Sequence, residues 1–350
     1  MDNQASTLGN QSNQQTQNSS ATITSTLPQC YPENISSYIR KDMRHDMTSF
    51  IGSASVKTGY QNLDAVIKNM YPGFYVLGAA SSLGKTTFAL QMADQFTLDA
   101  EQVIYFTMEQ SRLELVSKSL SRMSVLKCRT NPSLARTAIQ IRKGDAPQAV
   151  KDAFRDYKND IADYLTIIEG DFTTDMNAIN RKVEDFVKTT GQVPIIIVDY
   201  LQIVQEDLPT DKGKVDYITK GLKMLQRKYN TIVIAISSIN RGNYMLPIDF
   251  ESFKESGSIE YSADVVWGLQ LQIMNDPTFA SAKNVTQRRK VIAAAKAASP
   301  RKVELVCLKN RFGIASYSCG FLYYPQYDLF TTDPNYKSQI PTCPVPKLIV

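Results

Sequence analysis

The sequence predicts an α/β fold with a mostly parallel central sheet flanked by helices and an antiparallel hairpin at the sheet edge. Three observations carry that reading. Short, continuously apolar, β-branched runs alternate with helical patterns from residue 57 to about 330, the pattern of parallel strands covered on both faces. One run leads through Ala79-Ala80-Ser81-Ser82-Leu83-Gly84-Lys85-Thr86 directly into a helical segment. Another ends on an acid, Asp199.

In chain order, the predicted strands are 74–80 (FYVLGAA), 102–108 (QVIYFTM), 165–169 (LTIIE), 194–200 (PIIIVDY) and 231–236 (TIVIAI). Helices are expected near 85–98, 111–126, 146–161, 175–190 and 212–229. Three later runs, 265–273, 303–310 and 316–324, have no long helix between the last two, so those two form the edge hairpin. Ahead of this domain (57–330), residues 1–29 consist almost wholly of Asn, Gln, Ser, Thr and Ala. Such a tail buries too little apolar surface to offset its ordering entropy and is expected to be disordered. Segment 30–56 comes next and holds a short amphipathic helical pattern. Over 34–50 its apolar residues Ile35, Tyr38, Ile39, Met43, Met47 and Phe50 form a narrow stripe, which packs on its own domain or docks on a neighbouring subunit. The proline-punctuated stretch 331–350 is expected to be an extended tail.

Composition narrows the function classes. With 350 residues, 43% apolar and 21% charged, the chain is neither a polyelectrolyte nor a membrane protein. No apolar run approaches the about 18 residues of a bilayer span, and the N-terminus lacks a secretory pattern. Five cysteines without a C-x-x-C pair and a single histidine, His45, argue against a zinc site or a disulfide framework. A histidine-dependent hydrolase would need His45, which lies in a polar stretch. The expectation is a reduced, soluble, cytoplasmic protein with no membrane partner. The net charge of +5, from 39 basic and 34 acidic residues, does not by itself indicate nucleic acid.

The 79–86 segment has the chemistry of a phosphate-binding loop. A tight turn at a helix N-terminus aims backbone N–H groups at an anion. Lys85 reaches the outer phosphates and the Thr86 hydroxyl ligates magnesium, with Thr87 next to it; Gly84 keeps the backbone approachable. The usual first glycine is Ala79. Asp199, at the carboxyl end of a buried parallel strand, stands where such sheets place their ligand crevice and would hold the metal through water; alone it would pass for a helix-capping aspartate. Glu109 ends another apolar strand. It either activates the attacking water or caps the helix starting at Ser111.

Taken in order, these residues resemble the C-terminal motor domain of DnaB-type replicative DNA helicases, within the RecA-like P-loop NTPases, most like the helicase halves of mobile-element and phage primase-helicases. The resemblance rests on Thr58–Asp64 with Tyr71-Pro72-Gly73, on Thr107–Arg112, on Asp199-Tyr200-Leu201-Gln202, on Ser237–Arg241, on Lys254–Glu260 with Ala263-Asp264, and on Lys309–Gly313. It covers roughly residues 57–325. It implies ATP and Mg2+ as cofactors, with Ala79, Ala80, Ser81, Ser82, Leu83, Gly84, Lys85, Thr86 and Thr87 binding the nucleotide, Thr86 and Asp199 the metal, and Glu109 as catalytic base. Lys309 and Arg311 would act in trans on a neighbour's nucleotide, where a cation stabilises transition-state charge; without the resemblance they read as edge-strand surface charges. A central channel would contact single-stranded DNA through Lys212, Lys214, Lys254, Ser256, Gly257 and Ser258, tracking the backbone without reading bases. A basic stretch from Arg288 to Lys302 either adds to that surface or is an ordinary exposed helix.

The resemblance further implies a homo-hexameric ring, with segment 30–56 as a linker helix gripping the adjacent subunit through its 34–50 stripe, and a primase or loader as partner. Two positions depart from the family pattern: Ser238 stands where glutamine is usual, and Lys254 where arginine is common, keeping charge but losing the bidentate fork. The expected activity is ATP-driven translocation on single-stranded DNA with 5′-to-3′ unwinding in replication. The alternatives are a RecA/RadA-like recombination or regulatory ATPase without unwinding and, more remotely, a small-molecule kinase.

Overall fold

The computed structural model describes residues 34–341 apart from 53–55, 129–130, 172, 254–255 and 281–283. The predicted polar tail, Lys254, and residues 342–350 of the predicted extended tail therefore lie outside the described residues. The chain divides into two units, Met1–Thr48 and Ser49–Val350. In the first, Asn34 caps helix α1 (Ile35–Lys41) by accepting from the Ser36 N–H at 2.8 Å. The single helix expected over 34–50 is two, since α1 stops at Asp42 and α2 (Met43–Gly52) follows. Ile35, Ile39 and Met47 are exposed.

The second unit opens with α3 (Gln61–Ile67), β1 (Gly73–Ala79), α4 (Lys85–Leu98), β2 (Val103–Thr107) and α5 (Arg112–Lys127). It continues through α6 (Ala138–Arg142), α7 (Gln148–Asp160), β3 (Leu165–Glu169), α8 (Met176–Thr190), β4 (Ile195–Asp199), α9 (Asp211–Tyr229) and β5 (Ile232–Ser238). The last elements are α10 (Ser256–Ser262), β6 (Val265–Leu271), α11 (Pro277–Ala280), α12 (Val285–Ala297), β7 (Arg301–Asn310), β8 (Ser318–Tyr324) and β9 (Leu329–Thr332). Helix starts follow side-chain caps: Ser111 and Glu114 form a reciprocal capping box on α5, and Asp175 and Thr210 cap α8 and α9, each satisfying an otherwise orphaned N–H.

One nine-stranded sheet runs β3-β2-β4-β5-β1-β6-β7-β8-β9. From β3 to β6 neighbours are parallel; from β6 to β9 they are antiparallel. Strands β1, β2, β4 and β6 are buried along their whole length, as continuous apolar runs require of a sheet covered on both faces. The antiparallel edge exceeds the expected hairpin by β9. That strand has four residues and follows a left-handed Asp328 (φ 50°), too short to leave a period-2 pattern. It extends the sheet two residues into the segment expected to be a tail.

Beneath α4 lies a buried charge cluster. Arg122 pairs with Asp94, both side chains under a tenth exposed, and donates to the Asp328 carbonyl at 3.0 Å and the Ser119 hydroxyl at 3.1 Å. Burial pushes the Asp94 carboxyl up, and the Arg122 charge opposes it. Removing one partner strands the other, so Arg122→Met should cost about 3–5 kcal/mol in urea unfolding. Breaking the more exposed Lys127–Asp156 pair should cost under about 1 kcal/mol.

Candidate active site

Parallel strands bring their carboxyl ends to one edge, and the crevice forms where chain order reverses across it. Here β1 lies between β5 and β6, while the chain leaves β1 for β2, three strands away. Register levels the ends: Thr107 pairs with Asp199, and Ala79 with Ser238. Along that edge runs a cleft of about 520 Å³ lined by Ser81, Ser82, Gly84, Lys85, Thr86 and Thr87 from the loop and by Glu109, Asp199 and Ser238 from other strand ends.

The loop's shape explains its sequence. Ala79 is the last residue of β1, fully buried in strand register with Ser238 and Leu269, so that position does not demand glycine. The left-handed residues are Ser82 (φ 67°) and Gly84 (φ 86°). A Cβ on Gly84 would come within 2.9 Å of the Phe330 and Tyr323 rings, so glycine is required there by conformation and by packing. Ala80 and Leu83 are buried wall. Lys85 Nζ donates to the Ala79 carbonyl at 3.0 Å. Thr87 is buried in the cleft wall and donates to Asp328 Oδ1 at 3.0 Å.

Asp199 is 5% exposed. It accepts from the Tyr105 hydroxyl at 2.9 Å and from Thr86, with the Lys85 charge nearby. Burial pushes its carboxyl up; the Thr86 and Tyr105 hydrogen bonds and the Lys85 charge oppose that. Burial likewise pulls the Lys85 ammonium down, offset by Asp199 and then Glu109. The cluster is thus a half-buried ammonium and hydroxyl around a buried carboxylate. A threonine hydroxyl beside a carboxylate is the hard oxygen donor set that suits a small divalent cation such as magnesium completed by phosphate and water.

Neither capping alternative describes these acids. Ser111, not Glu109, caps α5, and Glu109 stands exposed on the cleft wall. Asp199 is engaged by side chains, while Tyr200 sits at the cap position of the turn that follows.

Several cleft residues escaped the sequence reading. Arg301 donates to the Ser82 carbonyl and lies over the Tyr323 ring at 5.6 Å; Lys296 reaches the Ser81 carbonyl at 3.4 Å. Both belong to the basic stretch considered for DNA, and the fold sets them on the phosphate loop instead. Alternation along β7 was the available signal, since Arg301 and Lys302 must face opposite ways. Lys118 also lines the cleft and pairs with Asp328 Oδ1 at 2.6 Å. At the departure from the family pattern, Gln202 donates to the Ser237 hydroxyl at 2.9 Å and accepts from the Ser238 N–H at 3.1 Å.

Lys309 and Arg311 are not brought to this cleft. Strand β7 starts at the loop with Arg301 and runs antiparallel to β6, pairing Lys309 with Val266. Ten residues at about 3.3 Å each put Arg311 roughly 30 Å away. Of the residues expected on DNA, Lys212 and Lys214 lie in the first turn of α9, and Lys214 lines a second cleft with Tyr200, Gln202 and Ser238. Ser256, Gly257 and Ser258 begin α10; the Ser258 hydroxyl has no hydrogen-bond partner among the described residues. No helix of the described residues is long and apolar enough to cross a membrane.

Comparison with known proteins agrees with this architecture. The replicative DNA helicase DnaB of Haemophilus influenzae is 27% identical over 257 residues, covering 70% of this chain and 52% of that protein. DnaB of Leifsonia xyli is 28% identical over 229 residues, 60% of this chain and 45% of that protein. The chain thus spans about half the length of the curated relatives it matches. A solved DnaB-like replicative helicase, described together with its interactions with primase, superposes with a TM-score of 0.64 over 85% of this chain and 66% of that one. At 19% identity that likeness is one of fold. The model of the DnaB-like helicase C terminal domain matches residues 55–331, and the chain belongs to that family.

Proposed function

We propose that the chain is the motor of an ATP-dependent DNA helicase acting in replication. The observation that carries the reading is the convergence of Lys85, Thr86, Asp199 and Glu109 on one cleft at the carboxyl edge of the sheet. The loop N–H groups and Lys85 hold the triphosphate, Lys85 exchanging the Ala79 carbonyl for phosphate oxygen. Thr86 and Asp199 hold magnesium, which when bound neutralises charge on the phosphate oxygens. Glu109, free at the cleft wall, orients water and takes its proton. Arg301, Lys296 and Lys118 frame the bound nucleotide from the same subunit.

Lys309 and Arg311 act on the nucleotide of an adjacent subunit. Their distance from their own cleft makes a cis role geometrically inaccessible, and a cation delivered across an interface ties hydrolysis to subunit motion. This calls for a ring, read as a homo-hexamer. Single-stranded DNA passes along Lys212, Lys214, Lys254, Ser256, Gly257 and Ser258, with 5′-to-3′ movement, and a primase or loader is the partner class. A recombination-type ATPase without unwinding is not favoured, because the family matched is that of replicative helicases.

Lys85→Ala should abolish ATP hydrolysis, and single-stranded DNA should accelerate turnover of the unmodified protein. A forked duplex with a free 5′ tail should be unwound, and one with only a 3′ tail should not. Full hydrolysis in Lys85→Ala would refute the site. Asp199→Asn carries a signed prediction. The folded state raises the Asp199 pKa, so its ionised form opposes folding at neutral pH and that opposition fades as pH falls through the raised value. The variant should therefore melt higher than wild type without nucleotide at pH 7, converge with it on acidification, and lose the stabilisation that Mg-ATP gives.

A further inference from the structure

Arg311 is half exposed, yet both its ends are tied to one short segment. Its backbone N–H donates to the Asp264 carbonyl at 2.9 Å. One guanidinium nitrogen donates to Asp264 Oδ1 at 3.2 Å and the other to the Tyr261 carbonyl at 3.3 Å. Lys309 donates to the Glu260 carbonyl. Glu260, Tyr261 and Asp264 lie in the last turn of α10 and just beyond it, and α10 starts with the Ser256–Ser258 turn.

Asp264 itself is fixed from two further sides. Its side chain is 8% exposed and accepts from the Phe74 N–H of β1 at 2.8 Å and from Lys223 of α9. The turn after β7 is pressed on the sheet here, since a Cβ on Gly73 would meet the Phe312 ring at 2.5 Å. An isolated surface arginine samples many rotamers and contributes little. One held in a fork by a buried carboxylate and a carbonyl is aimed before its target arrives.

We infer that Asp264 is a positioning residue that, with the terminal carbonyls of α10, aims Arg311 and Lys309 at the neighbouring subunit's nucleotide. The inference rests on the trans role proposed above and adds a physical connection to it. The helix that begins at the DNA-facing turn ends on the cations serving the next site, and α9, which starts with Lys212 and Lys214, reaches the same carboxylate through Lys223. A shift of either helix on DNA therefore redirects the pair.

Subunit mixing with the intact chain tests this. Asp264→Asn keeps an acceptor for the Phe74 N–H but loses the charge that holds the guanidinium. Alone it should lose tenfold or more in kcat for DNA-stimulated ATP hydrolysis, with KM for ATP within twofold of wild type. Mixed with excess Lys85→Ala subunits, whose own site is dead but whose cations are intact, it should recover activity above the sum of the parents, as Arg311→Ala should. Wild-type kcat in Asp264→Asn, or a loss that Lys85→Ala does not rescue while it rescues Arg311→Ala, would overturn the inference and leave the trans role standing. Failure to rescue Arg311→Ala would remove the trans role itself, and the inference with it. Should Asp264→Asn not fold, Arg311→Lys at its exposed position replaces it. That side chain keeps a charge but cannot span the carboxylate and the carbonyl together, so the same kcat loss and rescue are expected, and a wild-type kcat overturns the inference.

Discussion

A buried carboxylate and a half-buried ammonium within reach of one another are the constraint on which the site depends. Burial disfavours charge on both Asp199 and Lys85. Their mutual attraction, with the Thr86 and Tyr105 hydrogen bonds to Asp199, opposes that and sets an acid beside an ammonium at the cleft. That arrangement needs the carboxyl end of β4 and the loop after β1 at the same level. The parallel register delivers this, with β5 between them as spacer.

The same sheet explains a division of labour. Strands from β3 to β6 are parallel and bring their carboxyl ends to the edge that holds the cleft, whereas β7 reverses direction. One strand therefore carries Arg301 at the phosphate loop and delivers Lys309 and Arg311 to the opposite edge. Such a strand fits the proposed division between its own site at one end and another subunit's at the other. The buried Thr87–Asp328–Arg122–Asp94 network then fixes the loop's helix to the turn before β9.

Much of this was legible in the sequence because burial on both faces forces continuous apolar strands, and caps mark the helix starts. Asp199, Lys85 and Thr86 could be named because strand–loop–helix context and strand-end acids are local signals. Lys296 and Lys118 could not, since no local pattern marks their approach to the loop and to Asp328, and for Arg301 the alternation along β7 sets its face but not what it meets. Strand β9 failed for lack of length, and the split at Asp42 because a narrow apolar stripe persists across a one-residue break. Alanine in place of the usual first glycine is neutral, because residue 79 is strand rather than turn.

The central claim is that Thr86 and Asp199 meet a magnesium ion on the triphosphate. It is tested most directly by a thermodynamic cycle: calorimetric titration of ATP into the intact wild-type protein and Thr86→Ala, each with magnesium and with chelator. If the hydroxyl holds the metal, the substitution weakens binding tenfold or more in magnesium and hardly at all in chelator, so that the two perturbations are strongly non-additive. An equal loss under both conditions, or none in either, would contradict the account.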